Sequence, residues 1–126
     1  MSLKQYFEDT KGTGVLSTAN RDGIVNSAIY ARPHIMEDGL VAFIMANRRS
    51  HDNLQSNPHA AYLFLEEGKG FKGKRLSLTK VKEEQDTPLV ESLRRRTYAA
   101  DAEERMKPLS LVFFEVDKEL PLLGAL

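Results

Sequence analysis

The chain has 126 residues, and its 18 Lys and Arg balance 18 Asp and Glu to a formal net charge of zero. That length fits one domain around one core, and the charge balance argues against a general nucleic-acid binder, which needs a cationic excess or a basic face. No cysteine occurs, which excludes a disulfide framework and a thiolate metal site and is compatible with a reducing compartment.

In chain order, Ser2 to Asp9 reads as a short helix. Ser2 can cap it with Gln5 three residues on, and Leu3, Tyr6 and Phe7 share a face. Gly12 and Gly14 stop it. Strand character follows over 13–19, then an Asp22-Gly23 hairpin signal, then a strand over 24–35. After a second turn signal at Asp38-Gly39, residues 40–46 (LVAFIMA) are apolar throughout, as a strand buried on both faces would be. A short helix begins near Ser50 and ends at Pro58. Strand character resumes over 59–67, a Gly- and Lys-rich connection covers 68–74, and residues 75–82 alternate as a half-buried strand does. Thr87-Pro88 opens a helix carrying Leu89, Val90, Leu93 and Tyr98, with Arg94, Arg95 and Arg96 around its outer side. A last strand spans 109–116. Six strands with tight turns and few helical crossovers predict a mainly β (α+β) fold, an antiparallel sheet closed as a barrel with a few peripheral helices, in a single domain over 1–126; an open α+β sheet is the alternative.

His34, His51 and His59 form no metal-type pair such as H-E-x-x-H. No apolar run reaches the roughly 18–20 residues of a membrane span, and MSLKQYFEDTKG lacks the regions of a signal peptide. The expectation is a cytoplasmic protein with neither membrane nor nucleic acid as partner. G-x-G-x-x-G and G-x-x-x-x-G-K-[ST] are both missing, so the usual nucleotide-fold signatures do not apply.

The stretch MANRRSHDNLQSNPHA (45–60) carries the chemistry. Arg48, Arg49, Ser50 and His51 fall where a strand gives way to a helix start. The first turn of a helix has unpaired N–H groups and a partial positive charge. Two guanidiniums before it add planar bidentate donors, Ser50 a hydroxyl and Asn53 an amide. Such a set fits a phosphate monoester, with the Asp52 carboxylate turned away. The plain alternative is a capped surface helix with solvated arginines. A second cationic group, Lys72, Lys74 and Arg75, opens another strand and in a barrel could converge on the same phosphate.

In R-R-S-H-D-N-L-x-x-N-P (48–58) between two apolar strands, preceded in order by G-V-L-S-T-A-N-R-D-G (14–23), V-N-S-A-I-Y-A-R-P-H-I (25–35) and a D-G turn, the chain resembles the pyridoxamine 5′-phosphate oxidase-like family of FMN-binding split barrels. The resemblance implies a six-stranded antiparallel split barrel that forms a homodimer, with FMN between protomers and a small-molecule substrate or redox partner. It implies that Arg49 and Ser50 hold the FMN phosphate. Many relatives carry a lysine where Ser50 stands, so Arg48 or His51 would supply the missing charge. Asn53 would tie the loop to the phosphate or to the barrel. Ala28, Ile29, Tyr30, Ala31 and Arg32 would lie along the isoalloxazine ring, Ile44 and Met45 would flank the ribityl chain, and Lys74 and Arg75 would approach FMN from a strand start. Tyr30 and His34 are the side chains to expect near the ring. The chain ends in VDKELPLLGAL without the arginine–histidine substrate motif of the true oxidases, so the resemblance implies flavin binding and flavin-mediated redox rather than that particular enzyme. A non-catalytic flavin-binding or electron-transfer protein, or a heme- or deazaflavin-binding barrel, are the alternatives on the same fold.

Overall fold

The computed structural model describes residues 2–85, 88 and 109–124. Among the described residues two full helices, α1 (Leu3–Asp9) and α2 (Arg49–Ser56), accompany seven strands: β1 (Gly12–Ala19), β2 (Val25–Tyr30), β3 (His34–Ile35), β4 (Val41–Ala46), β5 (His59–Glu66), β6 (Gly73–Gln85) and β7 (Leu109–Pro121). The helix expected from Thr87 to Tyr98, with Arg94–Arg96, lies outside the described residues apart from Pro88, which is helical. All seven strands join one sheet in the order β2-β1-β5-β6-β7-β4-β3, and every pairing is antiparallel.

The count is seven rather than the expected six, because the run 24–35 is two strands. Pro33 cannot donate to a ladder, and the chain leaves β2 at Tyr30 to rejoin the sheet as β3 at His34. These strands form the two opposite edges of the sheet. Laid flat, seven strands would hold their edges about 29 Å apart at the usual spacing, whereas the link from Tyr30 to His34 reaches at most about 14 Å. The sheet must therefore curl, and the result is a half-barrel.

Local sequence explains the smaller pieces. Ser2 Oγ accepts from Gln5 N at 3.1 Å, so the predicted cap of α1 forms. Gly23 and Gly39 take positive φ (81° and 89°), as their turns demand. Two bulges interrupt the β6–β7 ladder: one extra residue at Asp117 on β7, and one at Val81 on β6.

The main core fills the inner side of the curl: Leu16 from β1, Tyr62 and Phe64 from β5, Leu76 and Leu78 from β6, Val112 and Phe114 from β7, with Phe7 of α1 and Leu54 of α2. β4 is buried on both faces, as its apolar run implied. Val41, Phe43 and Met45 face this core, while Ala42 and Ile44 join Leu109, Leu111 and Phe113 in a second cluster. Each large side chain buried here stabilises the fold by about 1.5–3 kcal/mol. Tyr62 also reaches across the interior, its hydroxyl 3.2 Å from both Tyr30 O and Ala31 O. It thereby fixes the start of the link between the sheet's two edges. Burial pushes the Tyr62 phenol up, against the lowering charge of Arg32, so it stays a neutral donor.

Candidate functional site

Curling leaves a split. Among the described residues β2 pairs only with β1, so no strand of theirs covers its other edge. β3 is two residues long and covers β4 only at Val41 and Ala42, so β4 has no strand on that side from Phe43 to Ala46. These two edges, with no neighbouring strand among the described residues, wall a cleft of about 450 Å³. Its lining runs from Asn26 to Arg32 on β2 and the link, through His34, to Phe43, Ile44 and Ala46 on β4, and on to Arg48, Arg49 and Ser50. Unpaired strand edges carry backbone donors and acceptors, so both walls can hydrogen-bond a flat ligand with a polar rim. Tyr30 stands edge-on to Phe43, ring centres 5.9 Å apart, and adds aromatic surface.

One end of the cleft is cationic. The chain leaves β4 through Asn47 and enters α2 with Arg48 as the extended N-cap, which makes no side-chain capping bond. Ser50 is therefore the second helical residue and not the cap. It is buried, and Asn26 Nδ2 donates to its Oγ at 3.4 Å, linking β2 to α2. Arg48 and Arg49 are exposed at the mouth. The uncapped N–H groups of the first turn, its dipole and the two guanidiniums together favour an anion.

α2 is held from three sides. Leu54 enters the core, and the buried Asn53 donates from Nδ2 to Thr18 Oγ1 of β1 at 3.0 Å. His51 Nε2 lies 2.9 Å from Glu83 Oε2 of β6. The same carboxylate accepts from Lys80 Nζ (2.7 Å) and Gln55 Nε2 (3.0 Å). Burial alone would raise the Glu83 carboxyl, but the hydrogen bonds from Lys80, His51 and Gln55 and the Lys80 charge outweigh it and hold it at about 2.

Among the residues singled out from sequence, the structure gathers Ala28, Ile29, Tyr30, Ala31, Arg32, Ile44, Arg48, Arg49 and Ser50 around the cleft, with His34. Within that group Arg32 is turned outward: its guanidinium donates to Phe7 O and Thr10 O, each at 2.9 Å, at the end of α1. Met45 points into the core, His51 and Asn53 anchor α2, and Lys74 and Arg75 lie elsewhere. Lys74 pairs with Glu119 and sits 4.8 Å over the Tyr6 ring, and Arg75 Nε donates to Pro121 O at 2.9 Å. Asn26, Ser27, Phe43 and Ala46 were missed. Strand alternation could have supplied Asn26, which shares a face with Ala28 and Tyr30. No group of three or more His, Asp or Glu fit to hold a metal occurs among the described residues, nor any helix long and apolar enough to cross a membrane.

A single curled antiparallel sheet, open along one seam with a ligand-sized cleft there, defines a split barrel. Solved structures agree on this architecture. An FMN-binding protein from Syntrophomonas wolfei superposes with a TM-score of 0.76 at 18% identity, covering 98% of this chain and 85% of that one. The heme storage protein HutZ of Vibrio cholerae gives 0.71 at 19%, covering 92% and 88%. A candidate pyridoxamine 5′-phosphate oxidase from Lactobacillus delbrueckii gives 0.69 at 10%, covering 95% and 93%. No protein-family model matches the chain, and no curated protein does. The chain thus has the pyridoxamine 5′-phosphate oxidase-like split-barrel fold.

Proposed function

We propose that the protein binds FMN in this cleft and works as a flavin-dependent oxidoreductase on a small substrate. The supporting observation is the pairing of a cationic end, Arg48, Arg49 and Ser50 at the start of α2, with two unpaired strand edges in a cleft of about 450 Å³. That volume lies within the range of roughly 300–1,000 Å³ common to cofactor sites. Arg49 and Ser50 would hold the phosphate, with Arg48 as the second charge, since His51 already faces Glu83. The end of β2 and the link after it, from Ala28 to Arg32, would meet the polar rim of the ring, and Ile44 would flank the ribityl chain. The bound flavin supplies the electron-transfer chemistry, and the protein's part is to bind it, orient it and shield it from water.

On the same reading the protein is a homodimer. Ile29, Val15 and Leu63 form one cross-strand row with Arg75 on the outer face, and Ile29 and Leu63 are exposed, as are nearby Ile24 and Val25. A second copy packed on this face would cover apolar surface beside the cleft.

His34 in the cleft wall favours one second reading, heme with an imidazole ligand. Absorption of the purified protein decides between them. Flavin bands and tighter binding of FMN than of riboflavin are expected; a Soret band on heme addition without flavin binding would favour the second.

A further inference from the structure

We infer that Glu83, on β6 and outside the cleft, is a positioning residue that fixes the cleft's anion-holding end by clamping α2 through His51 and Gln55. The inference rests on the reading of that end as a phosphate site. It starts from a register fault. In a regular strand Lys80 and Glu83, three apart, would point to opposite faces. The extra residue at Val81 shifts the ladder: Lys80 stands opposite Phe114, and Glu83 opposite Val112, both of which belong to the main core. Lys80 and Glu83 therefore share the inner side, next in line after Leu76 and Leu78, where Lys80 Nζ meets Glu83 Oε1 at 2.7 Å. Lys82, between them, goes to the other side and covers the Phe113 ring at 4.6 Å.

The bulge thus delivers a carboxylate to the helix α2. Glu83 Oε2 takes His51 and Glu83 Oε1 takes Gln55, residues one turn apart on a single face of α2. A ring nitrogen facing a carboxylate oxygen carries the proton, so His51 Nε2 is the donor. Gln55 Nε2 also lies 3.1 Å from His51 O. Arg49 and Ser50 directly precede His51. An eight-residue helix with no side-chain cap is marginal by itself, and each residue turns about 100° around the axis. Any rotation of α2 would swing Arg49 and Ser50 out of line with the cleft. Asn53 and Leu54 hold one side of the helix and Glu83 holds another. Lys80 offsets the charge of Glu83, so the clamp adds little repulsion to an incoming anion.

The test is titration of the full chain and of Glu83→Ala and Glu83→Gln with FMN and with riboflavin, together with amide hydrogen exchange of α2 without flavin. Glu83→Ala should weaken FMN about tenfold, the scale of losses from small misplacement of binding groups, and leave riboflavin within about twofold. Glu83→Gln, which keeps an oxygen acceptor, should recover most of the loss. Exchange at residues 52–57, whose amides carry the helical hydrogen bonds, should quicken in Glu83→Ala. Equal losses for both ligands, or unchanged FMN affinity, would overturn the positioning role. Unchanged α2 exchange would overturn the clamp whatever the ligand. A wild-type chain that binds FMN and riboflavin alike would instead overturn the phosphate reading.

Discussion

Gly14 of β1 lies directly under the Tyr62 ring, and a Cβ at residue 14 would stand well inside van der Waals contact with the phenol oxygen. The glycine is needed for space, and its small size lets the Tyr62 hydroxyl reach Tyr30 O and Ala31 O. Gly14→Ala should therefore cost about 1–3 kcal/mol, the range for overpacked cores. The midpoint of urea unfolding, at unchanged slope, measures it. A loss below a few tenths of a kcal/mol would show that the core yields freely here.

Arg49 should act on the phosphate and on nothing else. Arg49→Ala is expected to weaken FMN by about ten- to a hundredfold, since charge-assisted hydrogen bonds contribute about 1.5–3 kcal/mol. Riboflavin, which has no phosphate, should bind as before. Parallel fluorescence titrations of both ligands check it, and equal losses would mean that Arg49 works through folding.

The Glu83 cluster predicts a definite pH window for stability. Its folded-state carboxyl is held at about 2, below the ordinary glutamate value of 4.5. A group so depressed contributes stability that is fully present above about 4.5 and is lost as the pH falls towards 2. Wild type should exceed Glu83→Gln in stability at pH 6, and the gap should close on acidification through that window. Denaturant melts of both proteins at several pH values provide the measurement, and a gap independent of pH would contradict the ionic origin.

The outer face of β2, β1 and β5 should carry the dimer. A specific interface buries about 1,200–2,000 Å² in total, and a charge at its centre opposes association. Ile29→Glu with Leu63→Glu should give a monomer in sedimentation at micromolar concentration, where wild type sediments as a dimer. A monomeric wild type, or a dimeric double variant, would place the contact elsewhere or remove it.

The sequence showed most of the strands because their turns are local: Asp22-Gly23 and Asp38-Gly39 mark two of them without help from the rest of the chain. It showed the cationic end of the cleft for the same reason, since Arg48, Arg49 and Ser50 are neighbours. It did not show that 24–35 is two strands. Pro33 was a visible signal, but sending β2 and β3 to opposite edges depends on the whole sheet. Met45 and Ile44 could not be told apart, because in a run apolar throughout alternation carries no information about which face is inner. Lys74 and Arg75 find Glu119 and Pro121 more than forty residues on, a pairing that no local pattern encodes. The bulge at Val81, which brings Glu83 to α2, is likewise a property of the β6–β7 ladder alone.

The place of β7 in the sheet has a consequence for synthesis. β7 is the last of the seven strands to leave the ribosome, yet it lies between β6 and β4. Until it emerges, β2-β1-β5-β6 and β4-β3 are separate ribbons, and each supplies one wall of the cleft. A nascent chain halted before Leu109 can pair its hairpins but has no strand to set one wall against the other. The cleft is therefore completed only when translation has passed β7.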